Sequence, residues 1–101
     1  MIYIFWTCRD IVEAKAIIHA LLDRRLIACA SILPEVESIY RWEEKIEESK
    51  ETKVIMKTQE LHFDAIQHYI QANCTYKVPE ILQLAISRGN PAYLKWVTDE
   101  T

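Results

Sequence analysis

"LIACASILPEVESIYRWEEKIEESKETKVIMKT", Leu26 to Thr58, decides the fold. Its opening, "LIACASIL", is an uninterrupted apolar run of small and β-branched residues, the composition of a buried strand. Pro34 interrupts the run, because proline has no N–H to give to a ladder. Pairing resumes from Val36 to Glu43, where Val36, Ser38, Tyr40 and Trp42 share one face. Lys45 to Thr58 forms a further long strand that ends in the apolar Val54-Ile55-Met56. The two runs predict a single hairpin that turns near Glu43-Glu44.

Its length has a consequence. A strand of about 14 residues at about 3.3 Å per residue spans roughly 45 Å. A domain of ~100 residues with a radius of gyration of ~13 Å is only about 34 Å across. The hairpin therefore overruns its own sheet, and the unpaired edges it leaves invite another copy. Tyr40, Trp42 and Trp96 are surplus aromatics on a monomer and suit an interface. A closed homo-oligomer is expected.

Outward from the hairpin, Ile2 to Thr7 is a dense β-branched and aromatic run, a buried first strand. Asp10 is placed to cap a helix, with Glu13 three residues later in a capping-box pattern. Ala14, Ile17, Ile18, Leu21 and Leu22 then trace one apolar stripe of that helix. A second helix is predicted from about Leu61 to Ala72, carrying Phe63, Ile66 and Ile70 at helical spacing. Glu80 to Ile86 makes a fourth strand. Asn90 can cap, and Pro91 suits the first position of a short terminal helix with Tyr93, Leu94, Trp96 and Val97 on its apolar face. The order β-α-β-β-α-β plus a terminal helix predicts an α+β split βαβ arrangement, one antiparallel sheet with both main helices on one face. No linker or repeat divides residues 1–101, so a single domain is expected.

Composition excludes several function classes. Half of the residues are hydrophobic, 27% are charged and the net charge is -3. That balance argues against nucleic acid, which needs a clustered basic surface. Arg24-Arg25, the one basic doublet, suits the C-terminal end of the first helix. No run approaches the ~18 apolar residues of a membrane helix, and "MIYIFWT" lacks the basic flank of a secretion signal. A cytoplasmic setting without membrane or nucleic-acid partners is expected. Cys8, Cys29 and Cys74 are odd in number and widely spaced, neither a disulfide framework nor a structural zinc site. No Ser-His-Asp or Cys-His constellation supports nucleophilic catalysis, and Gly89, the sole glycine, cannot make a phosphate loop. A non-enzyme is expected.

Candidate site residues form small groups. Cys74 lies in a polar turn after the second helix, where a thiolate would suit a soft ion such as Cu(I) or Zn. Cys29 lies in the apolar second strand, either as a small hydrophobe or as a thiolate facing a pocket near Cys74. His19, His62 and His68 lack the i, i+4 spacing of helical metal sites. Glu43, Glu44, Glu47, Glu48 and Glu51 make an acidic hairpin tip, a loose hard-cation site or a guard against edge pairing. Lys57, Tyr40, Tyr76 and Glu80 are candidates for a cleft that holds a small anion, or for a simple Lys57–Glu80 bridge.

Leu26-Ile27-Ala28-Cys29 leading to Pro34, Ser38-x-Tyr40-x-Trp42, Lys57-Thr58, Tyr76 with Pro79-Glu80, and "YLKW" stand together in the order and spacing of the CutA family of divalent-cation tolerance proteins. The resemblance covers about residues 2 to 97. It implies a ferredoxin-like fold, a tight homotrimer built through the long hairpin, a cytoplasmic setting, and a role in tolerance to copper and other divalent cations. It also implies a trimer similar to that of PII signalling proteins, hence the alternative of a regulatory module with a small anion in inter-subunit clefts, or of an assembly platform. Cys74-Thr75 stands where many members have His-Pro. The positions matching the family's proposed metal ligands are Cys74, Asn73 and Trp6, with Cys8 two residues beyond Trp6 as a substitute donor. Glu44 stands where the hairpin usually has glycine, so a turn that avoids positive φ is expected.

Overall fold

The structure, a computed structural model covering residues 1–101, contains β1 (Ile2–Cys8), α1 (Ile11–Asp23), β2 (Cys29–Trp42), β3 (Lys45–Thr58), α2 (Phe63–Asn73), β4 (Ile81–Ala85) and α3 (Pro91–Glu100). A 3-10 turn over Glu60–His62 leads into α2. The strands form one antiparallel sheet in the order β2-β3-β1-β4, the α+β ferredoxin-like arrangement.

Local chemistry sets the helix ends as the sequence predicts. Asp10 accepts a 2.9 Å bond from the Glu13 N–H, and Asn90 accepts one of 3.0 Å from the Ala92 N–H. The exit from α1 carries a feature that composition hides. Arg25 adopts φ 54° while its N–H bonds to the Leu22 carbonyl and the Leu26 N–H reaches back to Leu21. These are the two bonds of a Schellman cap, with arginine where glycine is usual. The cap consumes Leu26, and β2 begins at Cys29 rather than at the start of "LIACASIL".

The core lies between the helices and one face of the sheet. Ile2, Ile4, Trp6 and Cys8 of β1 alternate into it, with Val54 and Met56 of β3. Ala14, Ile17, Ile18 and Leu21 of α1 and Ile66 and Ile70 of α2 close it from above. The opposite face has no helical layer of this kind. There the ladder sets Tyr3 beside Lys57 and Leu84, and Phe5 beside Ile55 and Leu82. Leu82 and Leu84 are exposed, and only 17 of 101 residues are buried, so a single chain leaves much apolar surface in contact with water.

β1 pairs β3 only from Thr52 to Thr58. Beyond that point β2 and β3 continue as a two-stranded arm, and the molecule measures 45 × 26 × 22 Å. The expected overrun is present. At its base the register slips between Leu33 and Val36, a bulge around Pro34 whose carbonyl accepts a 2.9 Å bond from the Thr52 hydroxyl. At its tip Trp42 pairs with Lys45, which leaves two residues for the turn. Both have positive φ, Glu43 at 49° and Glu44 at 66°, as a type I′ turn demands. The turn expected to avoid positive φ is not found, because the ladder register outweighs the preference of either glutamate.

Candidate functional site

Cys8 and Cys74 approach one locus from two elements. Cys8 ends β1 on its core side, fully buried, with Sγ donating to the Asp10 carbonyl at 3.5 Å. Cys74 is the C-cap of α2; its N–H bonds to the Ile70 carbonyl and its Sγ donates to the Tyr76 carbonyl at 3.3 Å. Burial pushes the Cys8 thiol up to about 12, reinforced by the Glu13 carboxylate and slightly by Cys74 itself. Burial and then Glu13 raise Cys74 too. Both sulfurs are thus held as thiols at neutral pH.

Glu13 is the organiser that sequence patterning understates. One carboxylate oxygen accepts from the Thr75 N–H at 2.7 Å and its hydroxyl at 2.6 Å, and the other accepts from the Arg9 N–H at 3.3 Å. It therefore ties the Cys74 turn to the start of α1, sixty-two residues away in sequence. The cap pattern flagged Glu13 only as a helix-start residue.

Cys29 does not join this locus. It pairs with Lys57, whereas Cys8 pairs with Thr52. Five residues along β3 correspond to about 17 Å, and the odd separation sends the two side chains to opposite faces. The Cys29 sulfur instead lies 3.5 Å from the Tyr93 hydroxyl. Within one chain this register keeps Cys29 out of a pocket with Cys74. Of the two other positions matching the family's proposed ligands, Trp6 is buried in the core with its Nε1 unpartnered, and the Asn73 side chain donates to the Tyr69 carbonyl. No three His, Cys, Asp or Glu side chains converge as a metal chelate. His19 and His68 are exposed, while the His62 ring lies 3.3 Å from the Thr101 carbonyl.

The set Lys57, Tyr40, Tyr76 and Glu80 also separates within the chain. Glu80 accepts from Lys53 at 2.7 Å and from the Thr7 hydroxyl at 3.2 Å, so Lys53 takes the bridge expected of Lys57. Register is the cause: Lys53 lies opposite Thr7, whose N–H bonds to the Glu80 carbonyl, while Lys57 lies opposite Tyr3. The two lysines are four residues apart, about 13 Å. Tyr76 keeps Tyr40 as a neighbour and gains Glu51; burial and then that carboxylate hold its phenol above the ordinary range. Glu51 thus belongs to a tyrosine group at the base of the arm, not only to the acidic tip. Trp42 is 59% exposed, and Tyr40 and Trp96 are 41% exposed each.

The family model described as "CutA1 divalent ion tolerance protein" matches residues 2–100. The chain is 40% identical to a divalent-cation tolerance protein CutA of Pyrococcus horikoshii, covering 100% of this chain and 98% of that protein. It is also 40% identical to a CutA homolog of Xenopus laevis, over 92% of this chain but 62% of the frog protein's length. The crystal structure of CutA1 from Pyrococcus horikoshii superposes with a TM-score of 0.93 at 38% identity, covering 100% of this chain and 98% of the other. No helix of the chain is long and apolar enough to cross a membrane.

Proposed function

The chain belongs to the CutA1 family of divalent ion tolerance proteins, and from that premise we propose that it works in metal tolerance as a homotrimer that takes a soft ion, copper first, at Cys74 and Cys8. The observation that carries the assembly is the two-stranded arm, which draws the molecule out to 45 Å, beside an uncovered sheet face. Tyr40 and Trp42 on the arm, Trp96 on α3, and Leu82 and Leu84 on the face are the surfaces for association. Burying such apolar area contributes about 25 cal/mol per Å², and the arm's free edges supply backbone hydrogen bonds to a neighbouring copy.

The donors of one chain do not fit a multidentate divalent site, because Glu13 is committed to Thr75 and Arg9, and Cys29 lies elsewhere. Two sulfurs suit a soft ion, copper(I) in particular, which favours thiolates. Binding then requires displacement of both thiol protons, so affinity falls as pH falls.

Two measurements test the proposal. Native mass spectrometry should give three times the 11.9 kDa chain; a mass of one chain defeats the assembly. Copper titration under reducing conditions should show Cys74→Ala and Cys8→Ala each weakened at least tenfold, with Cys29→Ala unchanged. Equal binding by all four proteins removes the thiol locus.

A further inference from the structure

The two thiols that meet at the end of β1 can react with each other as well as with an ion. Cys8 alternates with Ile4 and Trp6 toward the helices, on the side of the sheet opposite Leu82 and Leu84. Cys74 packs against the core cluster to which Cys8 belongs.

Glu13 sets how closely they approach. Its carboxylate takes the Arg9 N–H at 3.3 Å on one oxygen and the Thr75 N–H at 2.7 Å on the other. These are the peptide groups that directly follow Cys8 and Cys74, so one side chain clamps both segments within two hydrogen bonds of each other. From the other end of the same loop, the Glu80 carbonyl accepts from the Thr7 N–H at 3.4 Å. The end of β1 is therefore held against residues 74–80 at two points. A disulfide asks for Cα atoms about 4.4–6.8 Å apart, an approach that one shared carboxylate allows. Each sulfur now spends its hydrogen on a carbonyl two residues ahead, Asp10 for Cys8 and Tyr76 for Cys74. An S–H is a weak donor, so oxidation gives up little in losing these bonds.

We propose that Cys8 and Cys74 form a reversible intramolecular disulfide by exchange with a small-molecule disulfide such as oxidised glutathione, and that this bond closes the locus to soft ions. The closure rests on the metal reading above; the disulfide does not. Burial fixes the order of events, because Cys74 is half-buried and Cys8 fully buried. The Cys74 thiolate attacks one sulfur of the small disulfide, whose S–S bond breaks and releases one thiolate. The mixed disulfide forms on Cys74. Cys8 then gives up its proton and attacks the Cys74 sulfur, and the second small thiolate leaves. The protein loses two electrons and two protons, and the small disulfide takes both pairs to become two thiols. No thiolate pair is then left for a soft ion.

The full chain carrying Cys29→Ala leaves this pair as its only cysteines and is the protein to test, beside wild type. Oxidised glutathione is applied at about pH 8.5, where more of each thiol is ionised. The intact mass should fall by two hydrogens with no glutathione retained, and digestion without reductant should yield the Cys8 and Cys74 peptides joined. The melting midpoint should rise by about 5 °C or more, because the bond closes a loop of about 65 residues, and dithiothreitol should reverse the rise. Copper(I) should bind the oxidised protein at least tenfold more weakly than the reduced one. A glutathione adduct that persists on Cys74, or two thiols still free after long oxidation, overturns the disulfide. Equal copper(I) binding by both forms overturns the closure. If the cross-link forms and even the reduced protein ignores copper(I), the metal reading and the closure fall together while the disulfide stands.

Discussion

Replacing Glu44 by glycine at the tip of the arm should stabilise the protein, although it removes a side chain and touches no core residue. Glu44 holds φ 66° beside Glu43 at 49°. A left-handed conformation costs a residue with a Cβ about 1–2 kcal/mol. Glycine escapes that cost but gives the unfolded chain about 0.4–1 kcal/mol more conformational entropy to lose, which leaves a net gain of about 0.8 kcal/mol at the middle of the two ranges. Native-state hydrogen exchange reads that gain where it acts. Amides of the rungs next to the turn, Arg41↔Ile46 and Trp42↔Lys45, should exchange about 3- to 5-fold more slowly, since RT is about 0.6 kcal/mol. Glu44→Ala is the control: it removes the same negative charge from the acidic tip but keeps the Cβ, so its rungs should exchange as in wild type. If Glu44→Ala slows exchange as much as Glu44→Gly, charge relief is responsible and the backbone argument fails. Exchange that is unchanged or faster in Glu44→Gly refutes it outright.

Four further outcomes are expected. Asp10→Ala should lower stability in denaturant unfolding, because the Glu13 N–H loses its cap. The bond from the Glu13 N–H holds the Asp10 carboxyl below its ordinary range, so its contribution is present above the ordinary carboxylate pKa and fades as pH falls through the lowered folded value; Asp10→Asn should flatten that acid limb. Cys8 runs the other way: its ordinary value is 9.0 and its folded value about 12, so its contribution is complete below pH 9 and drains away as pH rises toward 12. The stability gap between wild type and Cys8→Ala should therefore narrow over that window in pH-dependent melts, and a constant gap contradicts the burial of the thiol. Glu13→Ala should cost about 2 kcal/mol, by freeing two donors of Thr75 and one of Arg9, and should speed alkylation of Cys74 measured by mass spectrometry.

Element order, both helix caps and the arm were legible in the sequence, because each rests on local chemistry: Asp10 three residues before Glu13, Asn90 before Pro91, alternation through Val36 and Trp42. The divalent-cation tolerance family was legible from motif spacing. The site was legible only in part. Alternation puts Lys53 and Lys57 on the same face, but which of them meets Glu80 depends on the β1–β3 register, a pairing about fifty residues apart. The contact from Glu13 to Thr75 bridges sixty-two residues and has no local signature. Left-handed backbone at Arg25, Glu43 and Glu44 runs against residue preference; only the cap bonds and the ladder that enforce it disclose it.

The bulge at Pro34 acts as a phase shifter. Before it, Cys29, Ser31 and Leu33 pair with Lys57, Ile55 and Lys53; after it, Val36, Ser38, Tyr40 and Trp42 pair with Glu51, Ser49, Glu47 and Lys45. The inserted residue changes β2 from odd to even numbering while β3 stays odd. Tyr40 and Trp42 consequently continue the side of the sheet that bears Leu33 and Lys53, where Ile39 and Arg41 would otherwise stand. Pairing of the full strand without the bulge would present Ile39 and Arg41 in place of two aromatic rings, whereas deleting Glu35 would remove the bulge and leave Val36, Tyr40 and Trp42 opposite their present partners. The identity of the arm's presenting face is thus set by the one-residue mismatch between the two strands at its root.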